Sequence, residues 1–159
     1  MPIREGWELS PDRQDMFDKM MGMDPVGDPI ITSKCHLGKD NGLLVVSNNG
    51  IAWRLKAGYS TSFYEMGKSK WVRWHDVGDL VPRKPGQLLA YIKLRKNGEL
   101  KLDKKGNIKL IKWPFMVDRN KDEDKALFAQ RKAVFNDVML ELFNQYRTTS
   151  DPPTSDSRI

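Results

Sequence analysis

Residues Asn120–Arg147, NKDEDKALFAQRKAVFNDVMLELFNQYR, decide how the rest of the chain is read. Leu127, Val134, Val138, Leu142 and Tyr146 share one stripe with Phe128, Phe135, Met139 and Phe143, the i, i+3/i+4, i+7 spacing of a helix that buries one side. Asn120 and Glu123 have capping-box spacing, and Asp122, Glu123 and Asp124 put negative charge at the positive end of the helix dipole. No Gly or Pro follows until Pro152. The expectation is one long helix from about Asp122 to Tyr146, with Lys125, Arg131, Lys132, Asp137 and Glu141 on a polar side left free for a partner. A fully buried large apolar side chain stabilises by roughly 1.5–3 kcal/mol, so a stripe of this size requires a surface to pack on.

The residues before it supply that surface. Short β-rich runs at Ile30–Leu37, Leu43–Ser47, Ile51–Lys56, Trp71–His75, Leu88–Arg95, Glu99–Leu102 and Asn107–Trp113 are separated by Asp40-Asn41-Gly42, Asn48-Asn49-Gly50, Pro85-Gly86, Asn97-Gly98 and Lys105-Gly106. Longer connections are read from Ala57 to Lys70 and from Asp76 to Gln87, and Trp113-Pro114-Phe115 is read as the end of the last strand, since Pro cannot donate to a ladder. The fold class is therefore mainly β: a seven-stranded antiparallel bent sheet or partly open barrel, capped by one long C-terminal helix. Ser10-Pro11-Asp12 starts a short N-terminal helix whose Met16, Phe17, Met20 and Met21 form an apolar face expected to pack on the sheet. The division is an acidic lead-in at 1–28, the β domain at 29–147 and a disordered tail at 148–159, whose Thr-Thr-Ser-Asp-Pro-Pro run has no periodicity.

At 159 residues the chain suits one domain. The single cysteine, Cys35, leaves no disulfide framework and no Cys cluster for a metal, and no apolar run approaches the length of a membrane span. Met1-Pro-Ile-Arg-Glu lacks the pattern of a signal peptide, so a cytoplasmic protein is expected, with peripheral membrane contact open to it. The net charge of +6 is unevenly spread: −4 over residues 1–28, +11 over 29–115 and −1 over 116–159. A basic middle of that strength points to an acidic partner such as anionic membrane, nucleic acid or an acidic protein face.

The strand and helix order resembles the pleckstrin-homology (PH) superfold, and Gly42-Leu43-Leu44-Val45-Val46-Ser47-Asn48-Asn49-Gly50-Ile51-Ala52-Trp53-Arg54 resembles a hairpin of its GRAM and GLUE branches. GLUE is the phosphoinositide- and ubiquitin-binding domain of the ESCRT-II complex. The resemblance, over about residues 29–147, implies a non-catalytic adaptor that binds a protein partner such as ubiquitin or another ESCRT-like component, anionic phospholipid, or both. It implies no cofactor. One departure matters: the second strand, Leu43–Ser47, has no cation, whereas phosphoinositide-binding PH domains usually carry a Lys/Arg-x-Arg there.

The residues themselves offer few catalytic arrangements. His36, His75 and Cys35 match no nucleophile, zinc or nucleotide pattern, and adjacent Cys35 and His36 on a strand face opposite ways. Candidate anion-binding residues are Lys34, Lys39, Arg54, Lys56 and Arg73; Arg54 and Lys56, two apart, share one strand face. Tyr59, Phe63, Tyr64, Lys68 and Lys70 form a candidate partner-binding loop, with an extra core strand as the alternative. A second basic cluster, Lys93, Arg95, Lys96, Lys101, Lys104, Lys105, Lys109 and Lys112, reads as a solvated sheet face or as a site for acidic lipid or nucleic-acid phosphates. The alternative function is accordingly a nucleic-acid-binding β-domain.

Overall fold

Leu43-Leu44-Val45-Val46 is apolar at every position rather than at alternate ones, which asks for a strand covered on both faces. In the computed structural model, which describes residues 3–23, 26–55 and 69–147, all four are buried. Leu44 and Val46 enter the main core, while Leu43 and Val45 lie beneath Met20 and Val26 in a second, smaller cluster. The Met-rich face of the N-terminal helix thus packs on the sheet as its spacing implies.

A 3-10 turn, Pro11–Arg13, leads into α1 (Gln14–Met23). Four strands follow as a meander: β1 (Pro29–Leu37), β2 (Asp40–Ser47), β3 (Gly50–Leu55) and β4 (Ser69–Arg73). A 3-10 corner at Trp74–Asp76 turns the chain into β5 (Val77–Pro82) and then β6 (Gln87–Lys93). A two-stranded hairpin of β7 (Arg95–Lys96) and β8 (Glu99–Leu100) precedes β9 (Leu110–Val117), and α2 (Lys125–Tyr146) follows. The seven main strands form one antiparallel sheet in the order β4-β3-β2-β1-β9-β6-β5, while β7 and β8 pair separately. Among the described residues no helix is long and apolar enough to cross a membrane.

The seven-strand count agrees with the sequence reading, but its membership differs. Val77–Pro82, read as connection, is β5: only Val77 and Leu80 face the core, and Gly78, Asp79 and Pro82 mask the alternation. Glu99–Leu102, read as a sheet strand, belongs instead to the small hairpin, where Asn97 and Gly98 both take positive φ (55° and 84°), the conformation a two-residue reversal requires. β9 also runs through Pro114 to Val117. Pro114 sits where β1 has already turned away, so its carbonyl accepts from the Gly38 N–H at 2.9 Å and no ladder bond is lost for want of its own N–H.

Ile31, Cys35, Leu44, Ile51, Trp53 and Leu88 belong to a main core that α2 closes with Phe135, Met139, Leu142 and Phe143. Phe143 and Tyr146 each lie 6.4 Å from Trp74, and Phe135 lies 5.9 Å from Trp7. Trp7 is therefore core, and residues before 29 contribute to the same packed body as the sheet. Trp71, in β4, packs against the smaller cluster, while Trp74, at the corner after the strand, lies in the main core.

The helix differs from its sequence reading at three points. It begins at Lys125; Glu123 reaches back to the Asn120 N–H at 2.8 Å, so the capping-box pair closes the preceding turn. Leu127 and Val134 stay exposed, at 57% and 44%, because they lie on the flank of the stripe. Arg131, assigned to the free polar side, is buried. Its guanidinium donates to both Glu123 carboxylate oxygens (2.9 and 2.8 Å), the Ser33 hydroxyl (2.6 Å) and the Asp118 carbonyl (2.7 Å), and it lies 5.4 Å from both the Trp7 and Phe128 rings.

Removing one partner of a buried, hydrogen-bonded pair leaves the other charge uncompensated. Arg131→Ala is therefore expected to cost about 3–5 kcal/mol in urea unfolding, with Arg131→Lys a poor rescue because an ammonium cannot reproduce the fork. Leu127→Ala, at an exposed position, is expected to stay within about 0.5 kcal/mol of wild type.

Candidate functional site

Turns at Asn97-Gly98 and Lys105-Gly106 fold residues 94–109 back on themselves as an arm that pairs within itself and adds no strand to the main sheet. Leu94 donates its N–H to the Lys109 carbonyl (2.9 Å), Lys101 to that of Leu94 (2.8 Å), and Lys109 to that of Lys101 (2.8 Å). Leu102 and Ile108 bridge the next step. Asp103 closes the end, its carboxylate accepting from the Lys105 and Asn107 N–H groups at 2.8 and 2.9 Å. At the base, Arg95 forms a two-point bond with Asp76 (2.9 and 2.8 Å) and donates to the Gly98 carbonyl, tying this arm to the Trp74–Asp76 corner. Lys93 donates to the His75 carbonyl at 3.1 Å.

The rest of the basic cluster faces water. Lys96, Lys101, Lys104, Lys105, Lys109 and Lys112 are exposed, and Leu102 (55%), Ile108 (41%), Leu110 (44%) and Ile111 (37%) are exposed among them. Apolar side chains set among cations form a surface suited to an anionic partner that also has apolar groups to offer. The sequence shows these lysines; the exposed leucine and isoleucine are concealed because the same alternation fits an ordinary strand.

Of the residues singled out for anion binding, the described ones do not all gather in one place. Lys34 and Arg54 occupy one row of the sheet, each opposite Leu43, and are thus about 10 Å apart across two strand spacings. Lys39 lies in the turn after β1, whereas Arg73 pairs with Gly50 at the opposite end of the strands, beside Asp76 and Arg95. Lys56 lies outside the described residues. So do Tyr59, Phe63, Tyr64 and Lys68 of the candidate loop; Lys70 is exposed in β4, opposite Trp53.

Lys34 is buried and engaged: its ammonium meets the Asp12 carboxylate at 2.7 Å. Burial by itself would raise the Asp12 carboxyl, but hydrogen bonds from Lys34 and Ser10 and the charges of Lys34 and Arg13 overcome it and bring the group down to about 2. Asp12 therefore straps the N-terminal segment to the sheet. Cys35 is a core thiol that burial, helped by the Asp118 charge, pushes far above its ordinary value, so it is held in the unreactive form. His36 meets the Asp118 carboxylate at 2.6 Å on the other side of the strand. Among the described residues no group of His, Cys, Asp and Glu is arranged to hold a metal.

Because the Asp12 carboxyl is depressed, its stabilisation is complete above its ordinary value of 3.8 and is lost as pH falls through about 2. Amide exchange over residues 14–23 is expected to quicken across that window in the wild type. In Asp12→Asn it should be faster already at neutral pH and flatter with acid; identical acid profiles would remove the strap. No protein-family model matches this chain, and no curated protein does.

Proposed function

We propose that this chain is a non-catalytic adaptor module of PH-like, GLUE/GRAM-like character, which settles on anionic membrane through the basic arm and carries a protein partner such as ubiquitin in ESCRT-type trafficking. The observation that carries the lipid half is the arm itself, where exposed Leu102 and Ile108 stand among Lys101, Lys104, Lys105 and Lys109. Each lysine near an anionic leaflet contributes about 1 kcal/mol, so four in one place give a real but salt-sensitive attraction. Leu102 and Ile108 add apolar insertion that salt does not screen. Support for the adaptor half comes from the sheet order together with a helix over its open side, the arrangement that the sequence resemblance implies. Fold alone does not choose a ligand, which is why the arm carries the weight.

The arm also bears on the alternative. Residues 94–112 contain no aromatic side chain, so a nucleic-acid strand would find cations there but no platform on which to stack bases. Anionic lipid uses the cations and the exposed aliphatics together.

Flotation with vesicles of phosphatidylcholine alone and mixed with phosphatidylserine tests the reading. The chain is expected to float only with the acidic vesicles, the double substitution Lys104→Glu with Lys105→Glu to weaken this at least roughly tenfold, and Leu102→Ser to weaken what survives high salt. Equal flotation with both vesicles, or none, would overturn the lipid half; a ubiquitin titration that moves no amide resonance would remove ubiquitin as the partner.

A further inference from the structure

Beside the arm, one stretch of the main sheet is unpaired among the described residues. β1 accompanies β9 only from Val117 back to Phe115, after which the Gly38 N–H takes the Pro114 carbonyl and β1 turns away. β6 continues along the other side of β9 as far as the Lys93–Leu110 pair. In an antiparallel ladder the N–H and C=O of one residue leave the strand on the same side, and the sides alternate along the chain. The side of the Pro114 carbonyl is therefore also the side of Lys112 and Leu110. Their two N–H and two C=O groups look out over an edge that no main-chain group among the described residues occupies. The open run 110–113 spans about 13 Å.

We propose that this edge of β9 receives an extended, acidic segment of another protein as an added strand. This rests on the adaptor reading and gives its protein-partner half a site and a chemistry. Charge selects the occupant. Residues 93–112 carry eight Lys and Arg against only Glu99 and Asp103, and Lys109 and Lys112 border the edge itself. A second copy of β9 brought alongside would set lysines against lysines, the usual protection of an edge against self-pairing. An acidic strand meets the same lysines favourably. Main-chain bonds to Leu110 and Lys112 would hold it, and the exposed Leu110 and Ile111 side chains favour apolar residues between the acidic ones.

Pro114 supplies the test, because it sits in β9 with its missing N–H on the open side and the strand still forms. Lys112 has the same parity, so Lys112→Pro removes an edge donor without removing a bond to β6. It is expected to fold, by circular dichroism and thermal unfolding, while Ile111→Pro, whose N–H faces β6, unfolds.

A displayed random decapeptide library panned on the full chain should yield acidic sequences with alternating apolar residues. These should bind Lys112→Pro at least tenfold more weakly than wild type, and Lys112→Gln, which keeps the N–H, only a few-fold more weakly. Should Lys112→Pro fail to fold, selected peptides N-methylated at alternate backbone positions make the same distinction on the unaltered chain, and loss of binding is expected. No enrichment, or binding unaffected by both the proline and the N-methyl groups, would sink the proposal. Flotation that persists while the library returns nothing leaves the membrane-adaptor reading standing and removes this one; acidic peptides without flotation do the reverse.

Discussion

The guanidinium of Arg131 is the point at which the separate parts of this chain are held to one another. It joins the helix that carries it to β1 through Ser33, to the chain leaving β9 through the Asp118 carbonyl, and to the turn before the helix through Glu123. Its flat face also covers Trp7 from the N-terminal segment. A buried ion pair is expensive, and apolar residues of equal volume in place of both Arg131 and Glu123 could fill the same space at little loss of stability. What the charge adds is register. A leucine here would tolerate the helix sliding or rotating on the sheet, whereas a planar fork with fixed acceptors on three segments admits one arrangement. The pair also accounts for Glu123, whose burial would raise its carboxyl but which Arg131, the Asn120 N–H and Arg119 hold below the ordinary range.

Most of the fold was legible because its signals are local. Turn residues and the apolar, β-branched runs between them identify β1, β2, β3 and β6, and the helical stripe finds its partner as soon as the strands are counted. β5 escaped because it is a bent strand with an irregular step between Val77 and Asp79 and shows only two residues to the core. Arg131 escaped for a different reason. Periodicity sorts residues by polarity, so it assigns an arginine beside an apolar stripe to the outside; only tertiary placement of Ser33, Asp118 and Glu123 makes the inside tolerable. The same blindness counted Lys34 among free cations, although its charge is spent on Asp12. For the candidate site the lysines could be read, but not which of them stay unpaired.

That division gives the charge distribution its meaning. The N-terminal acids are partly consumed within the protein: Asp12 by Lys34 and Arg13, and Asp15 by Lys19, while Arg4 takes Glu141. At the other pole Arg95 is taken by Asp76, and the arm's lysines extend into water beyond it. The field outside the molecule is therefore not that of a body with net charge +6 spread evenly, but of a basic projection on a largely compensated base. Such a projection meets an approaching anionic surface first, and its effect falls off within about 8–10 Å at ordinary salt.

The open edge of β9 follows from the same geometry. A sheet that bends about a central seam cannot keep full-length pairing on both sides of the seam strand, because β1 must leave to form its hairpin with β2 while β9 continues to its hairpin arm. Three pairs join β1 to β9, against seven between β6 and β9, and the difference is edge left unpaired among the described residues. Proline at 114 is admissible only because of this parting; in a fully flanked strand it would cost a ladder bond. The sequence thus carries a mark of the site in the one residue that first read as the end of the strand. At Pro114 the missing N–H does no harm because β1 parts from β9 just there, and the lysines beyond it keep the edge at 110–112 from joining its own kind while leaving it available to an acidic strand.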